Sequence, residues 1–523
     1  RWIIGATAMP ALCSSAKQAP CIPDGVNLAT GAYTPANDFR NDPHFNNVVI
    51  AGKPFFAPGP VKDNWGPRVG VAWQLHQKTV LRAGAGLYWD ALPARSQYAQ
   101  NDLEAEVWPD ATAFATGNVN NDAFFLPGST TPVQFLSDLN GHFPVTLPPT
   151  TPWGIGGFSD DPRYKDPYAL QYHVEIQQEL SPSTMFSVAY VGSQDGRLPW
   201  SGLANAARQP SPAGTPSAQV DTLRAVPWAN INNYTMSIAR SSYNALESKI
   251  DHRFTNGLSS LVSYTWSKSI DEGSGYFGVE NALAGGGSTV QNFYDLRSAR
   301  GPSGYDITHF FSWSNVYELP FGRGKRFLNG GPLSWILGNW ESDSILQARS
   351  GVPYNLQVSG DIANLKGSAP SIGSYGRPNI ISNPFVAGPV AASPDPKCHT
   401  TTDQGGSAPT SVLNATNYFN PCAFAIPPSG TFGNLGRNAF RSAAVWNMDF
   451  ALMKNFPIDD VKRVQLQFQA FNIFNVQNWE TPANSSVTIN SSATAINAKA
   501  GQITGLAQGM TPRELQFGLR FVF

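Results

Sequence analysis

Charge is scarce in this sequence. Of its 523 residues only 14% are Asp, Glu, Lys or Arg, against roughly a quarter in ordinary soluble domains. Bases and acids number 35 and 36, so the net charge is -1, and the pI is about 6.7. That balance excludes the basic footprint of a nucleic-acid binder and an acidic interaction tail. Long apolar runs are also missing: no stretch approaches the roughly 18 residues that a transmembrane helix needs, and the mean hydropathy is -0.23. A helical membrane protein is excluded, whereas a β-barrel is not, because only alternate residues of its strands must be apolar. The chain opens at Arg1 without an initiator Met, a basic n-region or a cleavage-type apolar segment. A signal peptide is therefore expected to be absent or lost upstream, with Arg1 an artificial beginning.

Cysteine is rare as well, with four in the chain. They fall into two sequence-local pairs, Cys13 with Cys21 and Cys398 with Cys422, each inside a loop rich in Pro, Ser and Asn. Local loop disulfides fit an oxidising compartment such as the periplasm or cell surface.

What the sequence has is alternation. From Tyr168 to Leu180 one face carries Tyr168, Leu170, Tyr172, Val174, Ile176 and Leu180, and the other Gln171, His173, Glu175, Gln177 and Glu179. Residues 461–474 set Val464, Leu466, Phe468, Ala470 and Phe474 against Arg463, Gln465, Gln467 and Gln469. At the end, Leu515, Phe517, Leu519, Phe521 and Phe523 oppose Glu514, Gln516 and Arg520. Period two marks strands with one apolar face. Similar segments near 66–75, 79–89, 184–192, 243–254, 258–268, 306–318, 338–349 and 443–454 bring the expectation to eleven strands. Each is close to the roughly 9–11 residues that a tilted strand needs to cross a bilayer. A twelfth is expected over Trp2 to Ala8.

The links between these segments alternate too. Tight turns are expected at 76–78, 181–182, 255–257 and 457–460, with a longer one at 321–333. Long excursions run over 9–64, 90–165, 194–240, 270–304, 351–441 and 476–511. An outer-membrane barrel has short periplasmic turns and long extracellular loops, whereas a soluble β-sandwich has no reason to sort them by side. Trp65, Trp89, Trp266, Trp313, Trp335, Trp340 and Trp446 lie near the strand ends, as interfacial aromatics do. The fold class expected is all-β, an antiparallel transmembrane β-barrel occupying 1–523.

Motifs that could carry chemistry fail in context. Gly273-Ser-Gly-Tyr-Phe-Gly278 matches GxGxxG but neither follows a strand nor opens a helix within a βαβ unit. Phe321-Gly-Arg-Gly-Lys-Arg326 has the wrong spacing for a phosphate loop and reads as a basic periplasmic turn. The seven histidines show no metal-ligand spacing. The acidic pairs Asp160-Asp161 and Asp271-Glu272 read as solvated loop carboxylates. No activated nucleophile is legible, so no enzyme, cofactor or metal site is expected. The polar strand faces carry Glu175, Glu179, Glu247, Lys249, Asp251, Arg253, Glu341, Asp343, Arg349, Arg463 and Arg520. Unpaired charges are expensive in a dry interior, so a hydrated lumen, or one filled by a polar plug, is expected.

Several strings are similar to a known family. They are Trp65-Gly-Pro-Arg-Val-Gly-Val-Ala-Trp73, Lys78-Thr-Val-Leu-Arg-Ala-Gly-Ala-Gly-Leu-Tyr88, Tyr243-Asn-Ala-Leu-Glu247, Val262-Ser-Tyr-Thr-Trp-Ser-Lys268, Phe419-Asn-Pro-Cys-Ala-Phe424, Phe432-Gly-Asn-Leu-Gly-Arg-Asn438, Phe468-Gln-Ala-Phe-Asn-Ile-Phe-Asn475 and Arg513 to Phe523. In this order they resemble the Oar-like TonB-dependent receptors abundant in acidobacteria. The resemblance implies an outer-membrane receptor with a signal peptide, a carboxypeptidase-regulatory-like sandwich, a plug with a TonB box and a large barrel. This sequence shows only the barrel part, about ten strands short of a 22-stranded design. The terminal aromatics Phe521 and Phe523 resemble the signal that outer-membrane barrels present to the barrel-assembly machinery. An open half-barrel with two exposed edges is expected if the fragment stands alone.

The function expected is ligand capture by the extracellular loops and energised uptake through a plug absent from this sequence, to which TonB would couple. The ligand is unspecified. Candidate capture residues are Trp108, Trp153, Tyr354 and Tyr375, aromatics interleaved with amides and glycine in 90–165 and 351–441, although such rings more often pack loops together. A surface adhesin and a passive porin are the alternatives.

Overall fold

The computed structural model describes residues 64–90, 165–204, 206–224, 232–273, 291–322, 324–358, 360–365, 376–401, 407–458, 462–482, 496–497 and 499–523, together with short strands at 2–5, 48–51, 124–125, 132–133 and 158–160. Eleven strands form one continuous antiparallel path in which each pairs with its sequence neighbours. They are β1 (Arg68–His76), β2 (Thr79–Trp89), β3 (Tyr168–Ser181), β4 (Thr184–Ala204), β5 (Asn232–Thr255), β6 (Leu258–Asp271), β7 (His309–Glu318), β8 (Trp340–Arg349), β9 (Val445–Pro457), β10 (Arg463–Phe471) and β11 (Glu514–Val522). Among the described residues two short α-helices interrupt the links, α1 (Ser217–Thr222) and α2 (Pro332–Leu337). Among the described residues β1 and β11 are the edges of this path.

The eleven expected strands are all present, and two are much longer than expected. β4 has 21 residues and β5 has 24, so at roughly 3.3 Å per residue β5 reaches about 80 Å. Their pairing runs from Thr184↔His252 to Ala204↔Asn232, through irregularities at Ser237, Ala239 and Ser241. The hairpin outruns the crossing length and carries its far end into the region of the long links. Trp2–Gly5 is a strand but not a twelfth member of the wall: it pairs in parallel with Val48–Ala51 in a separate two-stranded sheet.

Short and long links alternate strictly. Asn256 and Gly257, at φ 53° and 83°, join β5 to β6, the Asn-Gly pair that a two-residue hairpin with two positive φ values requires. A side chain at Gly257 would also meet the Glu318 carbonyl oxygen at 2.8 Å. The remaining turns at this end occupy 77–78, 182–183, 319–339 and 458–462, and the long links leave the opposite end.

Register sorts the side chains as the sequence pattern requires. One row across nine strands reads Trp73, Leu81, Ile176, Val188, Ser248, Tyr264, Phe311, Ala348 and Trp446. The row beside it on the opposite face reads Ala72, Arg82, Glu175, Ala189, Glu247, Thr265, Phe310 and Arg349. The apolar face is exposed along its length, including Val69, Val71, Ile176, Leu246, Phe517 and Leu519. Where glycine breaks this face, a tyrosine from the next strand lies over it: Tyr172 covers Gly192 and Tyr168 covers Gly196. Buried apolar residues gather instead in the long links.

Candidate functional site

The described parts of four long links, those after β4, β6, β8 and β10, knit into a cap. The link between β8 and β9, residues 350–444, folds back on itself: Pro353–Tyr354 pairs with Phe440–Arg441, and Asn379–Ile380 with Phe424–Ala425. Between these pairings Cys398 and Cys422 form a buried disulfide with Cα atoms 5.5 Å apart. Around it Tyr354, Leu356, Val390, Phe419, Phe424, Leu435 and Phe440 make a true hydrophobic core. Phe440 meets Tyr354, Phe385 and Phe424 at centroid distances of 6.1, 5.8 and 5.6 Å. Ile496 and Ala500 from the β10–β11 link join this core, and the Tyr418 amide donates to the Gly501 carbonyl at 2.8 Å. The β4–β5 link is laced in as well, through Ala207 and Ser211 amides donating to Leu365 and Ala363 carbonyls.

Arginines clamp this cap to the wall. Arg437 is fully buried and donates to the Asp271 carboxylate at the end of β6, and to the Gly301 carbonyl at 3.1 Å. Arg441 pairs with Asp306, and it donates to the carbonyls of Asp306 and Gly351 at 3.0 and 3.1 Å. Asp306 also accepts from the Ser269 amide at 2.5 Å and lies 3.8 Å from Lys268. Arg377 donates to the Ser298 carbonyl at 2.8 Å. Glu272, buried beside Asp271, accepts from the Arg240 amide at 2.7 Å and faces Arg300 at 3.6 Å. The expectation that Asp271-Glu272 is a solvated pair is therefore corrected. A carboxylate this deep persists because arginine and backbone donors satisfy it.

Residues 432–438 acquire a physical meaning here. Gly433 lies so close to the Arg377 backbone that an added Cβ would overlap its carbonyl oxygen. Asn434 exchanges hydrogen bonds of 2.9 Å with Asn379 and the Ile380 amide. Leu435 enters the core, Arg437 takes Asp271, and Asn438, at φ 52°, donates to the Pro302 carbonyl at 2.9 Å. This string, one of those that carry the resemblance, ties the cap to the strand ends. Nothing local marks it as a clamp, because the Asp271 partner of Arg437 lies 166 positions away.

Burial holds the Tyr354 hydroxyl well above the usual phenol range, with the neighbouring Tyr418 adding to it, and burial also raises Tyr418. Tyr354 is 2% exposed, turned into the core rather than toward solvent. In this structure it packs the core of the cap. Trp108, Trp153, Tyr375, Cys13 and Cys21 lie outside the described residues. Phe521 stacks on Phe523 at 5.9 Å at the exposed end of β11.

The polar wall face offers a cavity of about 690 Å³ over β1–β5. Arg68, Tyr88, Gln171, His173, Ser193 and Tyr243 line it, and Gly70, Gly84 and Gly86 form its floor. Arg68 lies 4.6 Å over the Tyr88 ring, and a Cβ at Gly84 would meet the His173 ring at 2.8 Å. Farther along this face Lys249 and Asp251 approach to 3.6 Å.

No curated protein matches the chain. Solved structures with similar architecture include the outer membrane transporter YddB from Escherichia coli, at 8% identity and a TM-score of 0.39, covering 88% of this chain and 40% of that one. The ferric-catecholate import receptor Fiu from E. coli K12 is 9% identical with a TM-score of 0.34, covering 87% and 34%. The FrpB iron transporter from Neisseria meningitidis is 11% identical with a TM-score of 0.35, covering 87% and 38%. The chain spans about a third to two fifths of the length of these structures. A family model, the outer membrane beta barrel domain, matches residues 26–516. Strand register, alternating links and that match agree: the chain belongs to the outer membrane β-barrel domain family, and its wall lies in the bacterial outer membrane.

Proposed function

We propose that this chain is the barrel part of an Oar-like TonB-dependent receptor, which captures a solute outside the cell on its loop cap and releases it inward through the lumen. The observation that carries this reading is the cap itself. Long links of a passive anchor need only be soluble, but these are closed around their own disulfide-stapled core and clamped by buried arginines to the strand ends. Such a body can form a rigid binding surface over the opening. Beneath it, the polar face with charges of both signs suits a hydrated path. Energised release requires a plug to which TonB couples, and insertion requires the barrel-assembly machinery acting on the strand that ends at Phe521 and Phe523. We assign a second loop disulfide to Cys13 and Cys21, and solute contact to Trp108, Trp153 and Tyr375. No catalytic step is assigned.

Conductance of the protein from the complete gene, reconstituted in planar lipid bilayers, tests this reading. A receptor barrel filled by a plug passes no steady current, and deleting the plug segment alone opens it. A steady open-channel current from the intact protein favours a passive porin. An intact protein that stays closed, yet shows no TonB-dependent uptake by cells, favours a surface adhesin.

A further inference from the structure

Among the described residues, the link between β7 and β8 is the one turn at the periplasmic end with a helix in it, and that helix is inside out. In α2 the single polar side chain, Ser334, is buried and donates to the Gly331 carbonyl at 2.9 Å. The large apolar residues Leu333, Trp335, Ile336 and Leu337 all point into the surroundings, with Trp335 64% and Ile336 65% exposed. A surface helix of a water-soluble domain has the reverse arrangement. Phe327 and Leu328, earlier in the same turn, are exposed too, and the exposed Arg326 lies over the Phe327 ring at 5.3 Å.

The helix is continuous with the apolar wall. Trp335 packs on Phe456 of β9 at 5.6 Å, and the Trp340 indole donates to the Ile336 carbonyl at 3.2 Å. Trp340 sits in register with Lys454, Leu466 and Leu519 on the outward face. Lys454 would place a cation on that face, but it is buried, donates to the Gly338 carbonyl just after the helix, and lies over the Trp340 and Phe456 rings at 5.7 and 5.0 Å. The turn thus hides the Lys454 charge and extends the greasy surface.

We propose that α2 and Trp340, with the side chains of Phe327 and Leu328, are an interfacial anchor, seated in the periplasmic leaflet at the boundary of headgroups and acyl chains, and that their partner is a glycerophospholipid monolayer. Short apolar helices flanked by Trp and a basic residue have the chemistry of that boundary. Continuity with the lipid-facing rows of β8–β11 singles out lipid over a soluble partner. This goes beyond the capture function and stands whether or not the barrel transports.

The test is spin-label accessibility on the full chain in vesicles of phosphatidylethanolamine and phosphatidylglycerol. Ile336→Cys carries the label, in a background with Cys13 and Cys21 replaced by serine. Gly330→Cys in the same turn, where a side chain has open space and an ordinary backbone, is the comparison. An immersed label at 336 collides several-fold more often with oxygen than with a water-soluble nickel chelate, and the label at 330 shows the reverse. Equal chelate access at both positions overturns the proposal. So does a label at 336 shielded from both reagents, which would mean a second copy or another protein covers the helix. If I336C fails to insert, brominated-lipid quenching of the native chain against Trp335→Phe decides: loss of a quenched fluorescence component supports the anchor, and unchanged quenching overturns it.

Discussion

The wall and the cap are built on opposite rules. In the wall, large apolar side chains face outward and the polar side chains face the lumen, so neither face holds a close-packed core. In the cap, a stretch of chain with little regular structure buries Tyr354, Phe419, Phe424 and Phe440 around a disulfide. The wall needs no core because lipid covers its outer face and hydrogen bonds between strands satisfy its backbone. The cap projects into water, where irregular backbone must earn its order through burial, cross-linking and paired charges.

The sharpest break of this comparison is in the clamp. Arg437→Ala leaves the Asp271 carboxylate buried without its cation, a change that costs about 3–5 kcal/mol. The expected outcome is loss of hydrogen-exchange protection across the cap, with protection of β3–β9 unchanged. Protection lost in both regions would show that cap and wall are one cooperative unit. Next comes the disulfide, which joins Cys398 to Cys422 across a sequence separation of 24. Loop-closure entropy puts its contribution at roughly 3–4 kcal/mol. Replacing both cysteines with serine is expected to expose the cap to protease while the heat-resistant electrophoretic migration of the wall persists.

What was legible in the sequence follows the same divide. Strand alternation is a local signal with period two, so Tyr168 to Leu180 or Leu515 to Phe523 declares its faces without any partner. The whole path of β1–β11 was readable for that reason. The far halves of β4 and β5 were not, because Gln194 to Ala204 and Asn232 to Ser242 mix polar, small and aromatic residues without clean alternation. They pair because each offers the other a ladder. In the cap, the two cysteines were readable from spacing and loop composition. The pairs Arg437–Asp271 and Arg441–Asp306 were not, since nothing local in Asp271-Glu272 or around Asp306 says whether a carboxylate will be solvated or buried. Tyr354 shows the same limit: an aromatic among amides and glycines reads alike whether it faces a solute or the core.

Two valines sharpen the comparison within the wall. Val174 on β3 and Val316 on β7 are 48% and 36% exposed, so exposure alone predicts that arginine is tolerated at either. Register separates them: Val174 lies between Ala83 and Tyr190 on the outward face, while Val316 is paired with Asp343 on the lumen face. Val174→Arg places a charge in lipid near mid-strand, at a cost of about 2–4 kcal/mol. Val316→Arg meets water and a carboxylate and should change little. Urea-dependent folding into vesicles, followed by tryptophan fluorescence, measures both. Equal small effects would mean that the apolar face is not in lipid.

The smallest expected effect is confined to the cap and comes from pH. Buried phenols of Tyr354 and Tyr418 have their proton affinity raised relative to the unfolded chain. The stability they contribute is fully present below the unfolded phenol value of about 10. Above it the unfolded chain releases protons that the folded cap retains, so cap stability falls as pH rises toward and through the raised folded values. Near-ultraviolet circular dichroism should therefore lose its aromatic signal above about pH 10, with Tyr354→Phe shifting the loss to higher pH. The wall's far-ultraviolet strand signal should not move in that window. A simultaneous loss of both signals would place the cap's aromatic core in the same cooperative unit as the strands it is clamped to.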